Sequence, residues 1–546
     1  MLGSNLLSVA TATAGLLISA VAAADVDPIV IKGSKFFYKT NGTEFYMRGI
    51  AYQQDFQGNG STSTVGGGNT YTDPLADPDA CKRDIPNLIA LRTNTIRTYA
   101  IDPTKDHSQC MQMLQDAGIY VVTDLSAPDS SINRELPTWE ASLYARYTGV
   151  IDEMAKYNNV LGFFAGNEVT NAANNTAAAP FVKAAVRDMK AYIVQKKYRP
   201  MGVGYATSDG DKIREDLADY FNCGQKEDGV DFWGYNIYSW CGSDSSYQVS
   251  GYSDRTKFFQ NYSVPVFFAE YGCNDPQPRE FDDVPVLFGK QMSPVWSGGI
   301  IFMYFQEENN FGLVSIKGNT ASKLPDFTKL SSQIAKATPS GTSMGSYNPT
   351  NTQLRSCPPT GASWNASSKL PPSPNEQLCS CMAQAAECVP KKGLSDDDAG
   401  DLFGQVCGAR KGVCDGINAD GSTGKYGAYS MCSSTERLTW ALSQYYNSTE
   451  GSNKNTACDW DGKASKVSPK SLSNTCSGLL AEAGTDGTST VTSQPSGTGA
   501  AATGTSTAKK TGAAAALTVP RFESGILQLG SYLAVAVLTG AGMILL

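Results

Sequence analysis

The sequence predicts an α/β protein: a (β/α)8 TIM barrel followed by a small, disulfide-rich and mainly helical module. Eight strand-like runs alternate with amphipathic helical segments over about 300 residues, which is typical of the barrel. Two of these runs lead into a glutamate, Glu168 and Glu270. The module is predicted from eight cysteines that lie within about 100 residues after the barrel.

Both ends of the chain have the pattern of processing signals. Residues 1–24 are predicted to be a secretory signal peptide, because an apolar core precedes a small-residue cleavage site. Residues 512–546 are predicted to be a GPI-anchor signal that is removed, with Gly512 or Ala513 as the attachment site and an apolar tail from residue 526. A transmembrane helix is the alternative for that tail, which is nearly long enough to span a bilayer.

The catalytic domain is predicted over residues 25–338. It opens with a hairpin at 29–48 that turns at Asn41-Gly42. Helical stretches such as 81–91 and 181–196 separate the strands. The eight predicted barrel strands are 47–52, 95–99, 119–125, 160–165, 201–205, 232–238, 264–270 and 299–305. Glu168 and Glu270 then lie at the carboxyl ends of strands four and seven, where such barrels carry their active sites.

Residues 339–376 are rich in Pro, Ser, Thr and Asn and are predicted to be a linker. Cys357 lies within it. Five cysteines precede Cys357, an odd number, so we expect Cys357 to pair back and strap the linker to the barrel. Those five are Cys81, Cys110, Cys223, Cys241 and Cys273.

The module is predicted over residues 377–483, and a Ser/Thr-rich stalk over 484–511. The eight cysteines of the module can pair in about 105 ways. A zinc site is the alternative for such a cluster, but secretion and the absence of a nearby histidine disfavour it. These cysteines are Cys379, Cys381, Cys388, Cys407, Cys414, Cys432, Cys458 and Cys476.

Composition excludes several classes of function. The net charge is −8 and no basic patch is present, so nucleic-acid binding is not expected. The single histidine, His107, lies in a polar loop and is predicted to be a surface residue. Acid–base chemistry therefore falls to Asp, Glu or Tyr, and no metal or organic cofactor is expected. Six sequons are candidate N-glycosylation sites: Asn41, Asn59, Asn174, Asn261, Asn365 and Asn447.

Two carboxyl groups that face each other across a cleft are typical of glycoside chemistry. One group protonates the departing oxygen, and in a retaining enzyme the other attacks the sugar carbon from about 5–5.5 Å away. Asn167 precedes Glu168, and its amide can bind a sugar hydroxyl near the reacting carbon. Aromatic residues at strand ends either stack on sugars or pack in the core. They include Tyr52, Tyr99, Tyr238 and Tyr304.

Four stretches of the chain resemble glycoside hydrolase family 72, the fungal GPI-anchored β-1,3-glucanosyltransferases of the cell wall. They are residues 46–53, 97–102, 164–168 and 303–307. The likeness covers about residues 25–340. Residues 379–476, which include Cys458-Asp459-Trp460-Asp461-Gly462, resemble the cysteine-rich carbohydrate-binding module of family 43.

The resemblance implies roles for individual residues. Glu168 matches the acid/base and Glu270 the nucleophile. Donor-glucan contacts are implied for Tyr99, Asn167 and Tyr304, acceptor contacts for Asp209 and Arg214, and further cleft positions for Gln53, Asp124, Asn236 and Tyr238. The implied disulfides are Cys81–Cys110, Cys223–Cys357, Cys241–Cys273, Cys379–Cys432, Cys381–Cys476, Cys388–Cys458 and Cys407–Cys414.

The implied function is that of a retaining β-1,3-glucanosyltransferase. It would cleave internal bonds of a β-1,3-glucan donor and join the new reducing end to the non-reducing end of a β-1,3-glucan acceptor. The alternatives are an endo-β-1,3-glucanase with the same residues, or a non-catalytic glucan-binding wall protein. The implied location is the outer face of the plasma membrane and the cell wall, through a GPI lipid anchor, and we expect a monomer. Because Glu168 must stay protonated for its first step, an acidic-to-neutral working range is expected.

Overall fold

The computed structural model of the protein describes residues 26–54 and 71–491. The predicted signal peptide, residues 492–511 of the stalk, the anchor signal with Gly512 and Ala513, and the sequon at Asn59 lie outside the described residues. Within the described part of the chain, no helix combines the length and apolar character needed to cross a bilayer.

Eight parallel strands close into a barrel, as predicted. Each strand pairs with the next along the chain, and the last pairs with the first. Because the strands are buried on both faces, they appear in the sequence as nearly continuous apolar runs. A short hairpin, β1 (Ile29–Lys32) and β2 (Lys35–Tyr38), precedes them. The barrel strands are β3 (Met47–Ala51), β4 (Thr95–Thr98), β5 (Tyr120–Asp124), β6 (Val160–Asn167), β7 (Gly202–Thr207), β8 (Trp233–Ile237), β9 (Val266–Tyr271) and β10 (Trp296–Ile301).

Helices connect the strands on the outside of the barrel. The first shows why they begin where they do: Asp77 caps it by accepting bonds from the amides of Asp79 and Ala80, and Pro78 occupies the first turn. The helices are α1 (Pro78–Ala90), α2 (Ser108–Asp116), α3 (Ala141–Met154), α4 (Ala179–Gln195), α5 (Arg214–Phe221), α6 (Tyr252–Phe259), α7 (Asp283–Leu287) and α8 (Pro325–Ile334). A 3-10 turn at Ala173–Ala178 leads into α4, and a hairpin of β11 (Val314–Lys317) and β12 (Thr320–Lys323) precedes α8.

The hairpin before the barrel differs from the prediction. β1 pairs with β2 around Gly33, whereas the predicted arm after Asn41-Gly42 makes isolated bridges, Phe37 to Glu44 and Thr43 to Ser343. Phe36 is fully buried and packs against Phe232 and Phe267, near the amino ends of β8 and β9. The hairpin therefore covers the end of the barrel opposite to the two glutamates. The position of β1 and β2 depends on this packing against the barrel. The local alternation of apolar and polar residues does not reveal such a long-range contact.

The predicted linker is packed on the barrel over much of its length. Trp364 is 1% exposed and its ring lies 5.2 Å from that of Tyr220. The Tyr220 hydroxyl donates to the carbonyl of Ser367, and the disulfide Cys223–Cys357 fastens the segment to the end of α5. Its composition suggested a linker, but the buried tryptophan, the hydrogen bond and the disulfide hold the segment on the barrel.

The C-terminal module is built on four helices and two short two-stranded sheets around its own core. Its elements are α9 (Glu376–Ala385), β13 (Cys388–Pro390), α10 (Asp396–Ala409), β14 (Ala419–Asp420), β15 (Lys425–Tyr426), α11 (Ser434–Asn447), β16 (Ala464–Lys466) and α12 (Asn474–Ala483), with 3-10 turns at Asp415–Ile417 and Gly451–Asn455. All fourteen cysteines of the chain lie in the described residues and form the seven pairs that the family resemblance implies.

The prediction that His107 is a surface residue is wrong. Its side chain is fully buried, with Nε2 2.9 Å from a carboxylate oxygen of Asp73 and Nδ1 3.1 Å from one of Glu153. Burial alone would lower the pKa of the imidazole, but the two carboxylates outweigh it and raise that pKa. Both partners are distant in sequence, so the polar neighbours of His107 were a misleading guide.

Candidate active site

The carboxyl ends of the barrel strands bring the predicted residues together with Arg97. Arg97 comes from β4, Asp124 from β5, Asn167 from β6, Asn236 from β8 and Glu270 from β9. Glu168 directly follows β6, and the register of the sheet pairs Asn236 with Glu270. Parallel strands end at the same rim of a barrel, which is why Arg97 and Glu270 meet here although they are 173 positions apart.

Glu270 is held by three donors, two from the end of β4 and one from the end of β8. Its Oε1 accepts bonds from the Tyr99 hydroxyl at 2.9 Å and from Arg97 Nη1 at 3.2 Å, and its Oε2 accepts one from the Tyr238 hydroxyl at 2.8 Å. Glu270 is only 8% exposed. Burial raises its pKa to about 7, against the opposing effects of Arg97 and the two tyrosines, and the charge of Glu168 adds to the rise.

The two tyrosines stay protonated and act as donors. Burial and the nearby charge of Glu270 raise the pKa of Tyr99 and of Tyr238 well above the ordinary value. A hydroxyl that donates to a carboxylate stabilises the ionised form of that carboxylate. This arrangement suits a carboxylate that must be ionised when it reacts.

Glu168 is half-buried and is held differently. Asn236 Nδ2 donates to its Oε1 at 2.9 Å. Its backbone has φ +49°, in the left-handed region that non-glycine residues seldom adopt. The Glu168 amide donates to the carbonyl of Ala206, and its own carbonyl accepts a bond from Arg134 Nη2 at 2.8 Å. The backbone of Glu168 is thus fixed on both sides.

A continuous chain of hydrogen bonds joins the two glutamates. From Glu168 it passes to Asn236, whose Nδ2 also donates to Asn167 Oδ1 at 3.1 Å. Arg97 Nη2 donates to the same Asn167 oxygen at 3.0 Å, and Arg97 Nη1 reaches Glu270. Asn167 is itself half-buried, so its amide nitrogen remains beside the cleft while its oxygen is committed to the network.

Arg97 was not predicted as a site residue, although a charge inside a buried-type strand was the available signal. Its side chain is fully buried, and Asp124 binds it bidentately with two contacts of 3.1 Å. Burial works against its charge, but Asp124 leads the groups that outweigh it and raise its pKa. A buried guanidinium of this kind holds its partners in a rigid fork geometry.

Two predicted cleft residues support the site from below. Asp124 is 2% exposed and forms an ion pair with Arg97. Gln53 is 1% exposed, and its Oε1 accepts bonds from the amides of Tyr99 and Ala100 at 2.9 and 3.1 Å. Because Tyr99 carries a hydrogen bond to Glu270, Gln53 positions the nucleophile side of the site through the backbone.

Tyr304 was predicted to contact the donor glucan, and the structure contradicts this. Tyr304 is fully buried, and its hydroxyl donates to Asp84 at 2.9 Å and accepts a bond from Asn87 at 3.1 Å. The predicted eighth strand ran to residue 305, but β10 ends at Ile301. The half-buried aromatic at this strand end is therefore Phe302, two residues earlier.

Phe302 completes an aromatic wall beside Glu270. Its ring lies edge-on to those of Tyr99 and Tyr238, each 6.3 Å away, and 5.3 Å from that of Phe311. All four residues are half-buried. Such rings offer both a hydroxyl-bearing edge and an apolar face to a sugar. The sequence pattern did not single out Phe302 or Phe311.

Asp209 and Arg214, the two predicted acceptor contacts, meet next to the cleft. Arg214 Nη1 donates to Asp209 Oδ1 at 2.8 Å, and the Tyr235 hydroxyl from β8 donates to the same oxygen. The side chains of Asp209 and Arg214 are each 26% exposed. They are thus accessible to a ligand and also oriented by each other.

A cavity of about 260 Å³ opens beside Asn167. Asp124, Tyr99 and Asn167 line one side of it, and the loop that contains Arg134 lines the other. The lining combines neutral polar side chains with the charged Asp129 and Arg134, and these hydrogen-bonding groups suit the hydroxyl groups of a ligand.

One group of described residues has the spacing of metal ligands, Cys379, Cys432 and Glu436. The two sulfurs are joined in a disulfide, so they cannot act as the thiolates that zinc requires.

Comparison with known proteins agrees with this geometry. Residues 18–338, more than half of the 546-residue chain, match the glucanosyltransferase family, glycoside hydrolase family 72. The chain belongs to this family. It is accordingly an enzyme of the transferase class, built on the family's barrel. Residues 386–465 match the X8 domain, which lies inside the cysteine-rich module.

Two curated relatives match this chain over most of their length. A 1,3-beta-glucanosyltransferase of Arthroderma benhamiae is 55% identical over 555 residues, covering 99% of each chain. The 1,3-beta-glucanosyltransferase GAS2 of Saccharomyces cerevisiae is 45% identical, covering 77% of this chain and 76% of its own. A solved structure of Saccharomyces cerevisiae Gas2 in complex with laminaritetraose and laminaripentaose superposes with a TM-score of 0.70 at 43% identity, covering 79% of this chain and 92% of that one.

Proposed function

We propose that the chain elongates β-1,3-glucan by a retaining double displacement, with Glu270 as nucleophile and Glu168 as acid/base. The observation that carries the proposal is the contrast between the two carboxyl groups. Glu270 is buried and receives three donors, which suits an ionised nucleophile, whereas Glu168 is half-buried and able to exchange a proton with ligands.

In the first step, Glu270 forms a bond to the anomeric carbon of an internal glucose, and the bond from that carbon to the bridging oxygen breaks. Glu168 gives its proton to that oxygen, and the reducing-end fragment of the donor leaves. Arg97, Tyr99 and Tyr238 favour the ionised form of Glu270 and hold its carboxylate in place for the attack.

In the second step, Glu168 accepts the proton of an incoming 3-hydroxyl from the non-reducing end of an acceptor glucan. That oxygen bonds to the anomeric carbon as the ester to Glu270 breaks, so the β configuration is kept. Water in place of the acceptor gives hydrolysis. The outcome depends on how well an acceptor is bound ahead of water.

The proposed sugar contacts are the half-buried side chains of the cleft: Tyr99, Asn167 and Tyr238 near the reacting carbon, with Asp209 and Arg214 on the acceptor side. Gln53, Asp124 and Asn236 act by positioning these groups, because each of them is nearly fully buried.

We further propose a secreted, GPI-anchored wall enzyme that is complete as a monomer. Seven disulfides within the described residues suit an oxidising compartment. A single chain supplies both glutamates and their partners. The described sequon asparagines are all exposed, as glycosylation requires: Asn41, Asn174, Asn261, Asn365 and Asn447.

A product profile tests the transfer reaction. The secreted, tail-less protein is incubated with a reduced laminari-oligosaccharide, and the products are separated by chain length. We expect products longer than the starting material, and none from the Glu270→Gln variant. Only shorter products would replace the proposal with an endo-β-1,3-glucanase, and no turnover by the folded protein would leave a glucan-binding protein.

A further inference from the structure

The loop between β5 and α3, residues 125–140, reaches the backbone of the proposed acid/base. Arg134 Nη2 donates to the carbonyl oxygen of Glu168 at 2.8 Å, across 34 positions of sequence. Arg134 is otherwise an exposed residue, and it also lines the cavity beside Asn167. The contact therefore adds little to the buried core, and its effect falls on Glu168 itself.

The position of the Glu168 carboxyl group depends on its backbone. With φ at +49°, the Cα–Cβ bond points in a direction that an ordinary extended or helical residue would not give. Left-handed residues of this kind persist only where the surrounding structure holds them. Here the Glu168 amide is bound to the carbonyl of Ala206 at 2.9 Å, and the carbonyl is bound to Arg134.

The loop holds Arg134 from both sides. On the near side, Asn133 Oδ1 accepts bonds from the amides of Glu135 and Leu136 at 2.7 and 3.1 Å, which closes a turn around Arg134. On the far side, Trp139 is 2% exposed and its Nε1 donates to Asp188 of α4 at 2.7 Å.

The cysteine-rich module fastens the end of the same loop. The Ala141 amide donates to the Met431 carbonyl at 3.0 Å, and Arg437 lies 3.6 Å from Glu140. The loop is thus fixed by contacts with the barrel, the module and Glu168. These contacts hold the Arg134 guanidinium in position to donate to the Glu168 carbonyl.

We propose that Arg134 is a positioning residue for the acid step: its guanidinium holds the left-handed backbone of Glu168 and thereby aims the Glu168 carboxyl group at the glycosidic oxygen. This inference rests on the acid/base role proposed for Glu168. It assigns to the β5–α3 loop a part in the reaction that is separate from binding glucan.

Leaving-group dependence distinguishes this role from a purely structural one. A glucan donor needs a proton on its departing oxygen, whereas a 2,4-dinitrophenyl β-laminarioside departs without one. Since kcat/KM reports the steps up to loss of the leaving group, a fault in acid catalysis appears with the glucan donor and hardly at all with the aryl donor.

The experiment compares Arg134→Ala with Arg134→Lys and with Glu135→Ala, a neighbouring exposed position whose side chain is not part of this contact. We expect Arg134→Ala to lose about 10–100-fold in kcat/KM on laminari-oligosaccharides but less than about 3-fold on the aryl donor. Arg134→Lys should recover part of the loss, because a lysine ammonium can supply one donor to the carbonyl. Glu135→Ala should resemble the parent on both donors.

Equal losses on both donors, or no loss on either, would overturn the proposal. Glu168→Ala serves as the reference, with a large loss on glucan and a small one on the aryl donor. If Glu168→Ala loses the same activity on the glucan and the aryl donor, the acid/base assignment is wrong, and the role proposed for Arg134 is then wrong as well. If Glu168→Ala loses much more activity on the glucan than on the aryl donor and Arg134→Ala does not, only the inference about Arg134 is wrong.

Discussion

The two glutamates of the cleft are held by different parts of the protein. Glu270 lies inside a barrel strand and is fixed through its side chain by Arg97, Tyr99 and Tyr238. Glu168 lies just beyond a strand and is fixed mainly through its backbone, with Asn236 as its side-chain partner. A nucleophile has one task and can be held rigidly. An acid/base must give up a proton and take one back, so it needs access to ligands.

The strongest test of this contrast is to remove each glutamate in turn and to supply azide as an added nucleophile. Glu270→Ala and Glu168→Ala should each lose about 10⁴-fold or more on glucan, because each removes one half of the double displacement. With an activated donor and azide, Glu168→Ala should form a β-glucosyl azide, since azide enters on the face that Glu168 has vacated and attacks the ester to Glu270.

Glu270→Ala should behave in the opposite way. Azide can then enter only from the face of the missing nucleophile, so a β-fluoride donor should give an α-glucosyl azide. Anomeric proton couplings identify the two products by NMR. Reversal of the two products would show that the assignments of Glu168 and Glu270 are interchanged.

A second, smaller effect separates the side-chain support of Glu270 from that of Glu168. Tyr238→Phe removes a hydroxyl that stabilises the ionised Glu270, whose pKa burial has already raised to about 7. We expect that pKa to rise further, by about one unit for a lost charge-assisted bond. Since Glu270 must be ionised to attack, the acidic limb of kcat/KM should move to higher pH.

The pH profile of kcat/KM on a laminari-oligosaccharide checks this, with Tyr304→Phe as the matched control. The buried hydroxyl of Tyr304 donates its hydrogen bond to Asp84 rather than to Glu270. The loss of this hydroxyl should therefore leave the acidic limb of the profile in place. An acidic limb that stays fixed in Tyr238→Phe would contradict the support proposed for Glu270.

The smallest effect concerns a second pair of carboxylates bridged by a cation, away from the cleft. Asp73 and Glu153 share His107, whereas Asp124 and Glu270 share Arg97. An arginine stays charged throughout, but a histidine titrates. Because its folded-state pKa is raised above the unfolded value of about 6.5, the stabilisation from His107 is fully present below that value.

That stabilisation should disappear as the pH rises through the folded-state pKa. Thermal unfolding at a series of pH values from 5 to 9 measures it, with His107→Gln as the comparison. The difference in Tm between parent and variant should narrow on going to higher pH. A constant difference would mean that His107 is neutral in the folded protein and contributes only hydrogen bonds.

Much of the architecture could be predicted from the chain itself. Parallel strands buried on both faces leave continuous apolar runs, so the barrel strands and the two glutamates at their ends were visible. Once Cys357 is assigned to the barrel, the barrel and the module each contain an even number of cysteines. This parity indicates that each domain forms its disulfides within itself. Family likeness supplied the pairings and the roles of residues, which spacing alone left open.

Tertiary structure decided what depends on contacts between distant segments. His107 has polar neighbours in sequence but is buried between two carboxylates, and Trp364 turns an unstructured-looking linker into a packed strap. Tyr304 and Phe302 differ by two positions, and only the true end of β10 shows which one faces the cleft. Arg134 gives no local signal, because its partner is a backbone carbonyl. Sequence patterns report which side chains avoid water, whereas hydrogen-bond partners across the barrel are set by three-dimensional packing.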